Sequence, residues 1–272
     1  MEAKVVVPIS VVIPCYRCVK TIGRAIRSIV QQTVKPYEVI LVDDASGDGT
    51  LEALNSIALQ YSTWVKVTAF NNNQGVSCAR NAGWDLASQP YIAFLDADDA
   101  WHPRKLEIQY GYMLAHPDVT LSGHLVRVLD QPDSRPIWEI GSWEDFRLSK
   151  LRMLLTNRLF PSTVMLKRDV PNRFQSGKRH TEDHLLWLEL LCAGHRLVKL
   201  NLELESAYKP LYGVGGLSSQ LWLMEKGELD TYKSIYAKGH INFVQWASLS
   251  LYSLAKYARR LLMYTLYLRW KK

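Results

Sequence analysis

The chain has 272 residues, 48% of them hydrophobic and 22% charged, with a formal net charge of +7. That length and composition allow a large buried core and exclude a disordered chain, and four cysteines with no repeated pair exclude a disulfide scaffold or a four-cysteine zinc site. A uniformly basic, polyanion-binding domain is excluded too. Eight of the 33 bases follow Asp230, beyond which no acid occurs, so the first 230 residues hold 25 bases against 26 acids.

Val11-Val12-Ile13 predicts a first buried strand, and Ile22, Ala25, Ile26, Ile29 and Val30 follow at helical spacing. Val39 to Val42 predicts a second strand that ends in Asp43 and Asp44. Turn and cap residues from Ser46 to Thr50 lead into a helix through Leu51, Leu54, Ile57 and Tyr61. A third strand, Val65 to Phe70, and the loop Asn71 to Gly75 precede a helix carrying Val76, Ala79, Gly83, Leu86 and Ala87. Strand four, Ile92 to Leu95, runs straight into Asp96-Ala97-Asp98-Asp99.

Strand–helix–strand repeats with continuous apolar strands predict an α/β fold with a mostly parallel sheet covered on both faces. Right-handed crossovers bring the loops after strands one, two and four to one edge. Tyr16, Asp43, Asp44, Asp96, Asp98 and Asp99 then meet in one cleft, where open α/β sheets bind ligands. Carboxylates there suit Mg²⁺ or Mn²⁺ shared with substrate phosphates. No G-x-G-x-x-G follows strand one, which argues against a dinucleotide.

Pro103 opens a helix with Leu106, Tyr110 and Met113 inward, and Val119 to Val128 predicts strand and turn. Gln131 to Pro136 is the clearest loop and a candidate subdomain edge. Phe146 to Leu155 predicts a helix and Ser162 to Leu166 a strand. Thr181-Glu182-Asp183-His184 starts another helix, where acids in the first turn are favoured as caps. Val198 to Leu204 alternates as a half-exposed strand, and Gly213 to Gly216 is a loop too irregular to cradle phosphate.

Taken together, Val12-Ile-Pro-Cys-Tyr16, Val39-Ile-Leu-Val-Asp-Asp-Ala-Ser46, Gln74-Gly-Val-Ser-Cys-Ala-Arg-Asn81, Phe94-Leu-Asp-Ala-Asp-Asp99 and Glu182-Asp183 resemble the family-2 inverting glycosyltransferases of the GT-A fold. The likeness spans roughly residues 9 to 200 and is strongest to bacterial enzymes that assemble surface polysaccharides such as O-antigen. It implies that Pro14, Tyr16 and Asp44 hold the uracil end of a UDP-sugar, with Asp43 shaping the turn. It further implies Asp96 near the ribose or sugar, Asp98 on a divalent metal, Mn²⁺ or Mg²⁺, Arg80 helping to hold the donor, and Asp183 as general base. Glu182 keeps its reading as a cap.

Residues 1–212 are expected to form the catalytic domain, its donor half about 1–130 and its acceptor half about 131–212. Residues 213–272 form a basic, aromatic helical extension. Phe243, Trp246, Leu249, Tyr257, Leu261 and Trp270 interleave with Lys256, Arg259, Arg260 and Arg269, the composition of a helix lying in a membrane interface. Expected partners are a nucleotide-sugar, a lipid-linked saccharide acceptor and an anionic membrane surface met by residues 244–272, with no nucleic acid. With no cleavable leader and no apolar run of ~18 residues, the expected place is the cytoplasmic side of the bacterial inner membrane, peripherally bound. The rival readings are a sugar-nucleotide nucleotidyltransferase, which lacks its triphosphate loop here, and a non-catalytic nucleotide-binding module that docks through the basic tail.

Overall fold

The computed structural model describes residues 5–129, 140–208 and 220–270. Its axis is β1 (Val6–Cys15), whose register runs parallel to β2 (Lys35–Asp43) on one side and to β4 (Tyr91–Phe94) on the other. β3 (Val65–Ala69) joins the far side of β2, again in parallel. The order 3-2-1-4 therefore reverses direction beside β1. That switch point opens a crevice at the carboxyl ends of β1 and β4.

Alternate side chains of these strands feed two cores. Val12, Ile40, Val42, Ile92 and Phe94 point to one face, and Val11, Ile13, Val39, Leu41, Ala93 and Leu95 to the other. On the second face lie α1 (Ile22–Val30), α2 (Thr50–Gln60) and α4 (Lys105–Ala115). On the first lies α3 (Val76–Leu86), where a Cβ on Gly83 would collide with Val12 Cγ1. The missing side chain lets α3 sit directly on the central strand.

Beyond β4 the sheet turns mixed. β5 (Ala100–Trp101), β6 (Val119–Val128), β7 (Asp145–Arg147), β8 (Met165–Lys167) and β9 (Arg196–Ala207) complete it. β8 is antiparallel to both β4 and β6, whereas β6 and β9 pair in parallel. Two local expectations change here. The helix expected from Phe146 begins only at α5 (Lys150–Leu155), because Ser149 caps it by accepting from the Arg152 amide while Phe146 pairs with Lys199 in the sheet. The strand expected from Ser162 begins at Met165, because Pro161 sets a short 3₁₀ turn first. The loops expected at 131–136 and 213–216 lie outside the described residues.

α6 (Glu182–Cys192) follows, then α7 (Leu221–Ala237) and α8 (Phe243–Trp270). α7 docks on α5 and α6 by burying Tyr232 and Ile235, with the Tyr232 hydroxyl donating to the Leu154 carbonyl at 2.8 Å. α8 leans on α7 through Leu249, the stacked pair Tyr236–Trp246 and the Trp222–Tyr257 contact. Its opposite side leaves Val244, Leu251, Leu254, Leu262 and Met263 exposed. No helix among the described residues is long and apolar enough to cross a membrane.

Candidate active site

Two pockets open on the crevice. The first, about 230 Å³, is lined by Pro14, Tyr16 and Asp44, by Asn73 and Gly75 from the loop after β3, and by Arg179. Asp44 is 3% exposed and accepts from the Gln74 amide at 2.7 Å, the Gly75 amide at 2.9 Å and Asn73 Nδ2 at 2.9 Å. A carboxylate offers about four lone-pair positions, so roughly one, on Oδ1, stays available. Asp43 lies just behind, accepting from both the amide and the hydroxyl of Ser46. That arrangement holds the turn in which Ala45 takes a positive φ of 55°.

The acids after β4 follow the strand that pairs with β1. Asp96 Oδ1 accepts from Arg80 Nη2 at 3.0 Å, and the Asp98 carbonyl accepts from Arg24 Nη2 at 2.5 Å. Arg24 in turn lies 3.6 Å over the Tyr208 ring. Asp99 is turned inward. Burial, then the charges of Glu205, Asp98 and Asp96, push its carboxyl well above the usual range. Glu205, buried on β9, rises to about 8 by burial, with the Asp96 charge adding to it and a hydrogen bond from the Ser162 hydroxyl at 2.7 Å opposing it.

The second pocket, about 280 Å³, contains Asp183 and Glu182 at the start of α6. Asp183 Oδ2 accepts from Asn157 Nδ2 at 2.7 Å. Burial raises its pKa, while His184, Arg80 and Asn157 oppose the rise. A carboxylate made more basic yet still facing a pocket suits proton acceptance from a bound hydroxyl. His184 is wholly buried between Glu228 of α7, 3.2 Å from Nδ1, and the Met153 carbonyl, 2.6 Å from Nε2. Burial favours its neutral form, but Glu228 outweighs that and raises its pKa.

Glu182 stands in the first turn of α6, where a capping acid is expected, and it also takes a second partner. Thr181 precedes it with a φ of 56° and no side-chain cap, and Glu182 Oε1 accepts from Arg80 Nη1 at 2.8 Å. Burial and the adjacent Asp183 charge push Glu182 up to about 7, with Arg80 limiting the rise. Arg80 is 4% exposed and ties Asp96 to Glu182, so it bridges the acids after β4 and those of α6.

The structure thus gathers Pro14, Tyr16 and Asp44 around one pocket and Asp183 in its neighbour, with Arg80 between Asp96 and Glu182. Arg179 borders both pockets and donates to Asn73 Oδ1 at 3.0 Å. Sequence reasoning missed Arg179, Asn157 and Glu228. The basic run Lys178-Arg179-His180 just before two acids was the available signal for the first. The extension was expected to start beyond the cleft. Instead α7 presses so closely on the α6 entry that a Cβ on Gly227 would meet the His180 carbonyl at 2.9 Å, and α8 brings Ser253, Lys256 and Arg260 into the second pocket.

For a metal, the acids after β4 form a hard oxygen set. Among the described residues no group of three or more His, Cys, Asp or Glu side chains is placed to hold an ion unaided. The set fits Mg²⁺ or Mn²⁺ bound through one or two carboxylates together with substrate phosphates, not a cation caged by protein alone.

The model of the family Glycosyl transferase family 2 matches residues 10–170, which spans β1 to the end of β8. The chain is 31% identical to the UDP-Glc:alpha-D-GlcNAc-diphosphoundecaprenol beta-1,3-glucosyltransferase WfgD of Escherichia coli, over 67% of this chain and 69% of that protein. It is 28% identical to the putative teichuronic acid biosynthesis glycosyltransferase TuaG of Bacillus subtilis, over 88% and 94%. Among solved structures, S. aureus TarS 1–349 in complex with UDP-GlcNAc superposes with a TM-score of 0.69 at 19% identity, over 91% of this chain and 72% of that one, a likeness of fold. The parallel strands, the acids after β4 and these matches agree: the chain has the GT-A fold, belongs to glycosyl transferase family 2, and is a glycosyltransferase.

Proposed function

We propose that the chain transfers a hexosyl unit from a UDP-sugar to a hydroxyl of a lipid-linked saccharide, with inversion, during bacterial polysaccharide assembly. The observation that carries this reading is the adjacency of the two pockets, one built around Asp44 and the other around Asp183, with Arg179 as a shared wall. The names of WfgD and TuaG, and the UDP-GlcNAc bound to TarS, support the same substrate classes.

Pro14 and Tyr16 flank the base, and the remaining lone pair of Asp44 accepts from it. Asp98, with Asp96 beside it, would hold Mg²⁺ or Mn²⁺ against the diphosphate; when bound, the cation neutralises negative charge on departing UDP. Asp183 takes the proton of the acceptor hydroxyl, and that oxygen attacks the anomeric carbon opposite the leaving group. The new C–O bond forms as the sugar–phosphate bond breaks, and UDP leaves with the electron pair, so an α-linked donor yields a β-glycoside. One base is enough, because no glycosyl-enzyme intermediate forms. The exposed apolar side of α8 would lie in the membrane interface and hold the cleft near a lipid-borne acceptor.

Incubation with a panel of UDP-sugars, a short-chain lipid-diphosphate saccharide and Mn²⁺ tests the reading. The expected result is acceptor-dependent release of UDP and a β-linked product by NMR. Release of pyrophosphate, or a product that keeps the donor's α configuration, would overturn it.

A further inference from the structure

Helices α7 and α8 lie beyond the family-matched segment, yet they supply one wall of the pocket that contains Asp183. Two side chains on that wall are buried and incompletely bonded. Glu225 of α7 is 3% exposed and its Oε1 has no hydrogen-bond partner; Ser253 of α8 is 1% exposed and its Oγ has none. His180 Nδ1, on the same pocket, also lacks one. Buried polar atoms left unpaired cost ~1–3 kcal/mol each and are rare in folded proteins. Here they border a cavity, so a ligand can satisfy them. A carboxylate only accepts, whereas a serine hydroxyl both donates and accepts. The ligand that matches is rich in hydroxyls.

The next positions along α8 change character. Ser253, Lys256 and Arg260 are spaced by three and four residues, which places them on one helical face. Lys256 is steadied by donating to the Leu155 carbonyl at 2.9 Å, with Glu228 at 3.9 Å. An ammonium has three donors, so capacity remains. Arg260 adds a planar fork of donors suited to phosphate. The acids of this pocket come from α6 and α7, whereas the charged residues that α8 contributes are both bases. The pocket therefore has a hydroxyl-accepting part and a cationic part.

We propose that α7 and α8 read a saccharide acceptor that carries a phosphate. Glu225 and Ser253 bind hydroxyls of the acceptor sugar beside Asp183, and Lys256 and Arg260 bind its phosphate. This rests on the assignment of the Asp183 pocket to the acceptor. The chemistry is common to a sugar on a lipid diphosphate and a sugar on a polyol phosphate, and the acceptors compared below separate the two.

The test compares four acceptors built on one sugar: a short-chain lipid diphosphate, the sugar 1-phosphate, a polyol-phosphate conjugate and an uncharged benzyl glycoside. Wild-type enzyme is expected to prefer phosphate-bearing acceptors over the benzyl glycoside by roughly 10-fold or more in kcat/KM, the worth of one charge-assisted hydrogen bond. Arg260→Gln should lower that preference ratio by roughly 10-fold, and Arg260→Lys should restore part of it. Glu225→Gln should raise the acceptor KM by roughly 10-fold on all four while UDP-sugar affinity, read by calorimetry, stays constant. The best phosphate-bearing acceptor identifies the natural source. Transfer that ignores the phosphate, an Arg260→Gln enzyme with an unchanged ratio, or a Glu225→Gln enzyme with unchanged acceptor KM would overturn the inference alone. Donor hydrolysis with no transfer to any saccharide would overturn the acceptor assignment and the inference with it.

Discussion

Arg80 and Glu182 lie 102 residues apart in the chain, and their side chains meet at 2.8 Å. The other arm of the same guanidinium holds Asp96 at 3.0 Å. One buried cation thus neutralises acids from both sides of the crevice. Desolvated as it is, the contact matters mainly because removing one partner strands the other.

Arg80→Ala should therefore destabilise the protein by about 3–5 kcal/mol, the usual result of orphaning a buried charge. Glu182→Gln should cost less and change the pH dependence. Glu182 holds its proton more tightly in the folded state, at about 7 against an ordinary 4.5. Its contribution is full below 4.5 and is lost as pH rises through about 7. Wild-type melting temperature should fall across that window, and the Glu182→Gln profile should be flatter. Identical profiles would show that Glu182 stays ionised throughout.

Asp183→Asn should lower turnover by ~100- to ~10,000-fold, the usual cost of losing a general base. The fold should persist, because asparagine can still accept from Asn157 and relieves the crowding beside Glu182. UDP-sugar affinity should hold, since Asp183 lines only the second of the two pockets. A variant that mainly loses donor binding would place the base elsewhere.

EDTA should abolish transfer, and added Mn²⁺ or Mg²⁺ should restore it. Asp98→Ala should be inactive even with excess metal while melting close to wild type. Full turnover in EDTA would remove the cation from the reaction.

The outer side of α8 can be tested without touching the cleft. Leu251 is 71% exposed and Leu262 59%. Leu251→Glu with Leu262→Glu should abolish co-sedimentation with anionic liposomes while leaving transfer to a water-soluble acceptor largely intact. Deleting 244–272 is a poorer test, because it also removes Ser253, Lys256 and Arg260 from the pocket wall. Equal sedimentation of the variant and wild type would leave the exposed stripe without a membrane role.

Gly83→Ala should destabilise by roughly 1–2 kcal/mol, read as a lower urea midpoint. The new methyl meets Val12, a stiff β-branched side chain at the centre of the sheet, and overpacking outweighs the gain in helix propensity. A stabilised variant would show that α3 can shift outward freely.

The placement of the acids at the strand ends was legible because it is local. Asp43, Asp44, Asp96 and Asp98 sit at the ends of strands whose apolar runs announce them, so a parallel sheet brings them together without further information. Glu182 was legible only in part: an acid in a first helical turn reads as a cap, and nothing nearby in sequence reveals an arginine 102 positions away. The α7–α8 wall of the second pocket was hidden more completely. Glu225, Ser253 and Arg260 lie on helices whose local pattern describes only amphipathicity, and their placement depends on how α7 docks against α6. The mixed half of the sheet was similarly obscured, since short strands such as β7 and β8 are defined by their partners, not by their own residues.

The three bonds that Asp44 accepts from residues 73–75 make it a staple between the end of β2 and the turn that joins β3 to α3. A substitution there is a folding lesion first, so an inactive Asp44 variant would say little about base recognition. The same coupling constrains how the enzyme can diverge. Under the proposed role of Asp44, a change of nucleobase would require rebuilding the turn between β3 and α3, whereas the α7–α8 wall can vary one side chain at a time. New linkages should therefore arise by changing what receives the sugar, with the carrier that delivers it held constant.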